Sequence, residues 1–210
     1  RDYPAEQRYR DSRVNRIFEG TNEINRLLIP ATLIRRTLKD NISLIQSSKI
    51  DVHEIDKHNW TDSAEKNIFE VELRTVSAFK QVALMVVNAS MKRYGDRLND
   101  EQEVLSFTAD IIIDTFRSES AALRTLQAFT DKKPTAELQA AAMRVVVDSS
   151  INKIEVSARQ ILAAMFEGDA LRAHLEELKN LVNVKPINAV ELRRRLAEAT
   201  MENGKYIFCA

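Results

Sequence analysis

The residues best suited to chemistry lie in an arginine-rich stretch near the start of the chain, Arg10–Ile24. Glu19 stands there in a segment without helical period, directly before Gly20. A carboxylate on a loop can act as a general base when it is held against a substrate and out of bulk water. A glycine beside it lets the backbone approach a flat ligand closely. Free N–H groups of a helix starting near Asn22 would offer donors and a positive dipole end to an anionic or electron-rich ligand.

Two short helices are predicted to position this loop. Pro4 can open a helix from about residue 5 to residue 16, since proline is well tolerated in a first turn. Thr21 is a good N-cap for a second helix over residues 22–39, where apolar residues return at helical spacing. Pro30 lies inside that helix and is expected to kink it or to end its first half.

The rest of the chain predicts a linker followed by a bundle. Residues 41–60 show no period, and we interpret them as the linker. Five helices then follow, joined by short connections. Their predicted bounds are Asp62 to Gly95, Asn99 to about Phe129, Pro134 to Gly168, Asp169 to Val182, and Asn188 to about Asn203. Capping-box spacing supports three of the starts, at Asp62 with Glu65, at Asn99 with Gln102 and at Asn188 with Glu191. Short connections favour antiparallel neighbours, so we predict an all-α, up-and-down helical bundle.

Composition supports this fold and excludes several classes of protein. The 210 residues include only 4 Gly and 4 Pro, too few for the turns of an all-β fold. The formal net charge is zero, so no global field attracts nucleic acid or an anionic membrane. The single cysteine, Cys209, excludes an intrachain disulfide. No signal peptide or spanning segment is visible. We therefore expect a soluble protein. Residue 1 is Arg rather than Met, so we expect a processed product or a piece of a longer protein.

The order of residues in Arg10–Ile24, with Tyr3-Pro4-Ala5-Glu6 before it, resembles the C-terminal signature of the acyl-CoA dehydrogenase family. That signature is an arginine-rich helix, a Glu-Gly-Thr loop and the last helix of the catalytic fold. The bundle resembles, by position and helix pattern, the extra C-terminal domain of very-long-chain and many bacterial members. The resemblance therefore implies a catalytic-domain remnant over 1–40, the linker over 41–60 and an appended helical domain over 61–210.

The resemblance also implies an activity and a site. Glu19 would be the base that takes the α-proton of a fatty acyl-CoA as hydride leaves for FAD, and its backbone would help to polarise the thioester carbonyl. The acyl-CoA site would be lined by Phe18 and Gly20. FAD would be contacted by Thr21, Asn22 and Glu23. The alternative for Glu19 is a surface acid before a capped helix, since short motifs often match by chance.

The expected parent is thus a flavoprotein that passes electrons to an electron-transfer flavoprotein. We expect it to be a homo-oligomer without nucleic-acid binding or stable membrane insertion, located in a bacterial cytoplasm or, alternatively, in mitochondria. The flavin-binding segments of the family should lie upstream of residue 1, so we expect this chain to bind no FAD and to be inactive by itself. The alternative function is a non-catalytic helical interaction or oligomerisation module.

A metal site is not predicted. Residues 51–58 concentrate metal-ligand types, including His53 and His58. These two histidines are five residues apart, which on a helix places them roughly 140° from each other rather than on one face. We interpret this segment as part of a solvated linker.

Overall fold

In a computed structural model, residues 4–39 and 69–208 are described, with side chains described as far as residue 36 in the first range. The described residues form seven α-helices and one 3-10 helix and contain no strand. The α-helices are α1 Ala5–Val14, α2 Asn22–Lys39, α3 Glu70–Tyr94, α4 Gln102–Thr130, α5 Ala136–Met165, α6 Gly168–Leu181 and α7 Ala189–Asn203. The predicted linker, the predicted cap at Asp62 and Cys209 lie outside the described residues.

The core lies between the three long helices. The most extensive packing joins α4 to α5, and α3 packs against both. Their facing stripes bury large apolar side chains completely, among them Phe79 of α3, Ile111 of α4 and Ile154 of α5. The shorter helices α6 and α7 lie against α5. The prediction of an all-α helical bundle is confirmed, and no helix among the described residues is long and apolar enough to cross a membrane.

Two helix ends of the bundle are found where the sequence predicts them: Gly95 ends α3, and Asn188 caps the start of α7. Gly95 follows the last residue of α3 with a φ of 55°, and its N–H donates to the carbonyl of Met91. The Asn188 side chain accepts a hydrogen bond from the Glu191 N–H at 3.2 Å and donates one to Glu191 Oε2 at 3.0 Å. This reciprocal pair satisfies an otherwise unpaired donor at the start of α7.

Several predicted helix boundaries are wrong. The helix predicted from Asp62 does not include Phe69, which is a turn residue, and α3 begins at Glu70. Asn99 does not cap α4, because Gly95–Asp100 winds into a 3-10 helix and α4 begins at Gln102 without a side-chain cap. Gly168 does not end α5, which stops at Met165; two extended residues follow, and Gly168 is the first residue of α6. The capping spacing at Asn99 and the glycine at position 168 are present in the sequence, but the chain turns at neighbouring residues.

Pro30 does not end α2. The helix continues from Asn22 to Lys39 with Pro30 inside it. Proline removes one backbone hydrogen bond from a helix, and tertiary packing can outweigh this cost. Pro30 is buried, while Leu27 and Ile34 on the same face pack against the core of the bundle. Packing of α2 against α4 therefore holds the helix together across the proline.

Candidate active site

The loop that carries Glu19 has an unusual backbone. Glu19 has a φ of 50° and Gly20 a φ of 92°, so two consecutive residues adopt positive φ. A positive φ is uncommon for a residue other than glycine, because it is strained and persists only where the surrounding structure holds it. At Gly20 a Cβ atom would lie 3.2 Å from Oδ1 of Asn25, so a side chain there would also be crowded. The loop thus requires glycine at position 20.

Three hydrogen bonds hold this loop against the start of α2. The Asn22 N–H donates to the carbonyl of Arg16 at 3.0 Å. The Asn25 side chain donates to the carbonyl of Gly20 at 2.9 Å, and the Ile24 N–H donates to Thr21 Oγ1 at 3.2 Å. The last bond confirms Thr21 as the N-cap of α2. Glu19 is therefore the tip of a loop whose two ends are fixed.

Several backbone donors on the loop remain available. None of the residues in the described ranges accepts a hydrogen bond from the N–H of Glu19, Gly20 or Glu23. Two of these groups lie on the loop, and the third lies in the first turn of α2, where the helix dipole is positive. Such donors suit a carbonyl oxygen or an electron-rich ring of a bound ligand.

The side chains of the loop are open to water within the described part of the chain. Phe18 is 66% exposed, Glu19 is exposed, and α1 contains no buried residue. A general base that removes a weakly acidic C–H proton has to be shielded from bulk water. Residues beyond the described ranges must supply that shield if Glu19 is to act as a base.

The six predicted site residues, 18–23, lie together at this loop and the first turn of α2. Sequence reasoning missed Asp110 on α4, which contacts Arg26, three residues after the last of these site residues. The Arg26 Nε atom donates to Asp110 Oδ1 at 2.7 Å across a separation of 84 residues. Arg26 also approaches Glu23, with Nη1 at 3.9 Å from Oε1. Only the Glu23–Arg26 spacing was visible in the sequence.

A second carboxylate lies one turn further along α4. Burial raises the pKa of Asp114 above its ordinary value of 3.8, while Arg117 and Lys153 pull it down and Asp110 adds to the rise. Arg117 Nη2 lies 2.8 Å from Asp114 Oδ1 and donates to Ser150 on α5. This group lies at the border between α2 and the bundle rather than at the loop, so we do not place it in the site.

No group of three or more potential metal ligands occurs among residues 4–36 and 69–208. The segment 51–58, with its two histidines, lies outside the described residues. The loop itself offers one carboxylate and backbone donors, which suit an organic ligand better than a metal ion.

Comparison with known proteins identifies the family. Two family models match, both described as the C-terminal domain of acyl-CoA dehydrogenase, one over residues 1–34 and one over residues 78–180. The chain belongs to the acyl-CoA dehydrogenase family and corresponds to its C-terminal part. A probable acyl-CoA dehydrogenase of Bacillus subtilis is 35% identical over 206 residues, which are 98% of this chain and 34% of that protein.

A solved structure agrees with this assignment. The crystal structure of an acyl-CoA dehydrogenase complexed with FAD from Bacillus anthracis is 33% identical and superimposes with a TM-score of 0.86. The match covers 98% of this chain and 35% of that one. The chain therefore spans about a third of the length of the relatives that it matches.

Proposed function

We propose that the chain is the C-terminal part of an FAD-dependent acyl-CoA dehydrogenase, in which Glu19 is the catalytic base. The enzyme would form the α,β double bond of a fatty acyl-CoA thioester. The observation that carries the proposal is the loop itself: Glu19 and Gly20 have positive φ, their N–H groups donate to none of the described residues, and hydrogen bonds fix both ends of the loop. The relatives named above are acyl-CoA dehydrogenases, which supports the reaction class.

The proposed chemistry divides between the ligand and this chain. FAD, when bound, supplies the acceptor for the hydride that leaves the β-carbon. The Glu19 carboxylate takes the α-proton, and the electron pair of that C–H bond becomes the new double bond. The Glu19 N–H donates to the thioester carbonyl and stabilises the negative charge that develops there. A base at a fixed loop position avoids the entropy cost of bringing it to the substrate.

The neighbouring residues have roles that follow from their positions. Phe18 and Gly20 flank the base and would line the acyl-CoA site. Thr21 uses Oγ1 as an acceptor for the cap, which leaves its O–H free to donate to FAD. The Asn22 N–H already donates to the carbonyl of Arg16, so Asn22 would contact FAD through its side chain. The Glu23 N–H donates to none of the described residues, so Glu23 would contact FAD through its backbone.

The deciding experiment replaces the base without changing its shape. In the full-length enzyme, Glu19→Gln should lower kcat by about 10²–10⁴-fold, which is typical for loss of a positioned base. Protein fold and FAD content should stay as in the wild type. Glu198→Gln is the matched control, since Glu198 is exposed on α7 and lies outside the site. Normal turnover of Glu19→Gln would contradict the assignment of the base.

We expect the isolated chain to bind no FAD and to be inactive. It supplies one wall of the site, and the Glu19 and Phe18 side chains on that wall are exposed. The purified chain, mixed with FAD and desalted, should show no visible flavin absorbance and no dye reduction with acyl-CoA. A stoichiometric flavin spectrum would show that this segment is a complete flavin site and would contradict the proposal.

The parent enzyme is further proposed to pass electrons to an electron-transfer flavoprotein, to form a homo-oligomer and to reside in a bacterial cytoplasm. The relatives named above are bacterial, which supports only the bacterial source. The alternative is a non-catalytic interaction or oligomerisation module. The outer face of α4 favours it, because Phe116 is 71% exposed and Ile113 and Leu123 are exposed nearby. A module predicts that the full-length protein has no acyl-CoA dehydrogenase activity for Glu19→Gln to remove.

A further inference from the structure

One ion pair ties the helix of the proposed catalytic loop to the appended bundle. Arg26 lies on α2, just over one helical turn after Thr21, and its Nε atom donates to Asp110 Oδ1 of α4 at 2.7 Å. The two side chains are 34% and 33% exposed, so the pair is partly shielded from water. Arg26 Nη1 also lies 3.9 Å from Glu23 Oε1, so one guanidinium forms ion pairs with two carboxylates.

This pair is the interhelical polar contact nearest the loop within the described residues. Residues 22–25 of α2 are exposed. The apolar contacts of α2 with the bundle begin at Leu27 and continue through Pro30 and Ile34. Without the ion pair, the described contacts of the first turn of α2 and of the loop before it would be hydrogen bonds within the same segment. Segments with few buried contacts open locally at low free-energy cost.

We propose that Asp110 is a positioning residue for the catalytic loop and acts through Arg26. Its carboxylate fixes the first turn of α2 against α4, and that turn fixes Thr21 and the loop that presents Glu19. By holding Arg26 toward α4, it also leaves the Glu23 carboxylate only loosely paired. The appended bundle thereby contributes to the geometry of the reaction without touching substrate. This inference rests on the proposed function of Glu19.

The bundle contains a matched ion pair that serves as a control. Lys80 on α3 donates to Glu119 on α4 at 2.5 Å, and these side chains are 33% and 28% exposed. The pair thus joins two helices and has burial similar to that of Arg26–Asp110. It does not involve α2. Removing either carboxylate should cost similar stability, while only one of them should affect the loop.

The test compares Asp110→Asn with Glu119→Gln in the full-length holoenzyme. We expect Asp110→Asn to lower kcat by about 10-fold or more with KM within about twofold of the wild type, because displacement of a base costs rate more than binding. Glu119→Gln should shift Tm by a similar amount and leave kcat unchanged. Hydrogen exchange of the backbone amides of residues 16–24, in the FAD-free protein, should accelerate in Asp110→Asn only.

Two further variants separate positioning from loss of fold. Asp110→Glu retains the charge and should restore much of kcat. In a double-mutant cycle, Arg26→Gln with Asp110→Asn should be no worse than the worse single variant, because both remove the same contact. Should Asp110→Asn not fold, Arg26→Gln removes the pair from the other side and is compared with Lys80→Gln, again by kcat, KM and hydrogen exchange.

Wild-type kcat and exchange in Asp110→Asn would overturn the inference, and so would equal losses in Glu119→Gln. These outcomes are distinct from failure of the proposed function. That function fails when Glu19→Gln keeps its turnover, whatever Asp110 does. The exchange measurement does not depend on activity, so it reports on the Arg26–Asp110 contact in either case.

Discussion

The two described regions of the chain, residues 4–36 and residues 69–208, differ in how many side chains they bury. The bundle over residues 69–208 contains the buried core, and its helices α3 and α5 bury apolar side chains from Leu73 to Ala89 and from Ala136 to Met165. The region over residues 4–36 contains α1, which buries nothing, and α2, which buries one face against α4. The bundle contains the buried core, whereas the first region buries side chains, within the described residues, only where α2 packs on the bundle.

This difference matches the proposed division of work. A packed core is stable because its apolar side chains are buried, and buried groups cannot contact a ligand. A catalytic loop has to keep a carboxylate and backbone donors available, and strained backbone is found at such sites because the surroundings hold it in place. Glu19 and Gly20, with their positive φ, lie in the region with the least burial. The two regions meet at α2 and α4, where the Arg26–Asp110 pair lies.

The sharpest contrast comes from one phenylalanine in each region. Phe79 is fully buried, so Phe79→Ala should lower the free energy of unfolding of the chain by about 3–5 kcal/mol. Phe18 is 66% exposed, and Phe18→Ala should change it by less than about 0.5 kcal/mol. Urea denaturation followed by circular dichroism measures both. Similar losses for the two variants would show that Phe18 is covered in the chain and that the contrast is wrong.

The backbone of the loop gives the next largest effect. Gly20→Ala should destabilise the loop by about 1–2 kcal/mol, because alanine is strained at positive φ. The crowding against Asn25 Oδ1 at 3.2 Å adds to that strain. Gly204→Ala, after α7, is the control, since its φ is 65° and nothing lies within 4 Å of an added Cβ.

We expect Gly20→Ala to accelerate hydrogen exchange at residues 16–24 more than Gly204→Ala accelerates it at the end of α7. Global unfolding of the bundle should be nearly unchanged in Gly20→Ala, because the loop contributes no buried side chain to the core. A loop that exchanges as in the wild type would mean that alanine fits at position 20, and the glycine requirement would then be wrong.

The bundle could be predicted from the sequence because its determinants are local. Apolar residues at helical spacing fix which face of each long helix is buried. The Asn188–Glu191 cap and the stop at Gly95 depend on side chains within a few residues. The errors at Asn99 and Gly168 concern the turns between helices, where the chain turns at residues next to the predicted ones.

The site could be predicted only in part. The order of residues around Glu19 identified the loop, and Thr21 caps α2 as predicted. The continuity of α2 through Pro30 and the contact of Arg26 with Asp110 depend on residues far away in the chain. No pattern near Arg26 specifies a partner 84 residues later. The pairing is a consequence of how α2 packs on α4, so it required the structure.

The smallest expected effect lies at the border between the two regions and depends on pH. Burial raises the pKa of Asp114 above 3.8 despite Arg117 and Lys153 nearby, and Asp110 adds to the rise. The folded state therefore holds this proton more tightly than the unfolded state does. The stability that the neutral carboxyl contributes is fully present below the ordinary pKa and is lost as pH rises through the raised, folded-state pKa.

Asp114→Asn removes this titration and keeps the size of the side chain. We expect the free energy of unfolding of Asp114→Asn, relative to the wild type, to increase as pH rises from below 3.8 through the raised pKa and then to level off. Thr115→Ala is the control, since Thr115 is the next residue, is equally buried at 7% and has no titrating group. Its difference from the wild type should be the same at each pH in urea denaturation. A relative stability of Asp114→Asn that falls with rising pH would mean that Arg117 and Lys153 outweigh burial, and that the border between α2 and the bundle stabilises the ionised carboxylate.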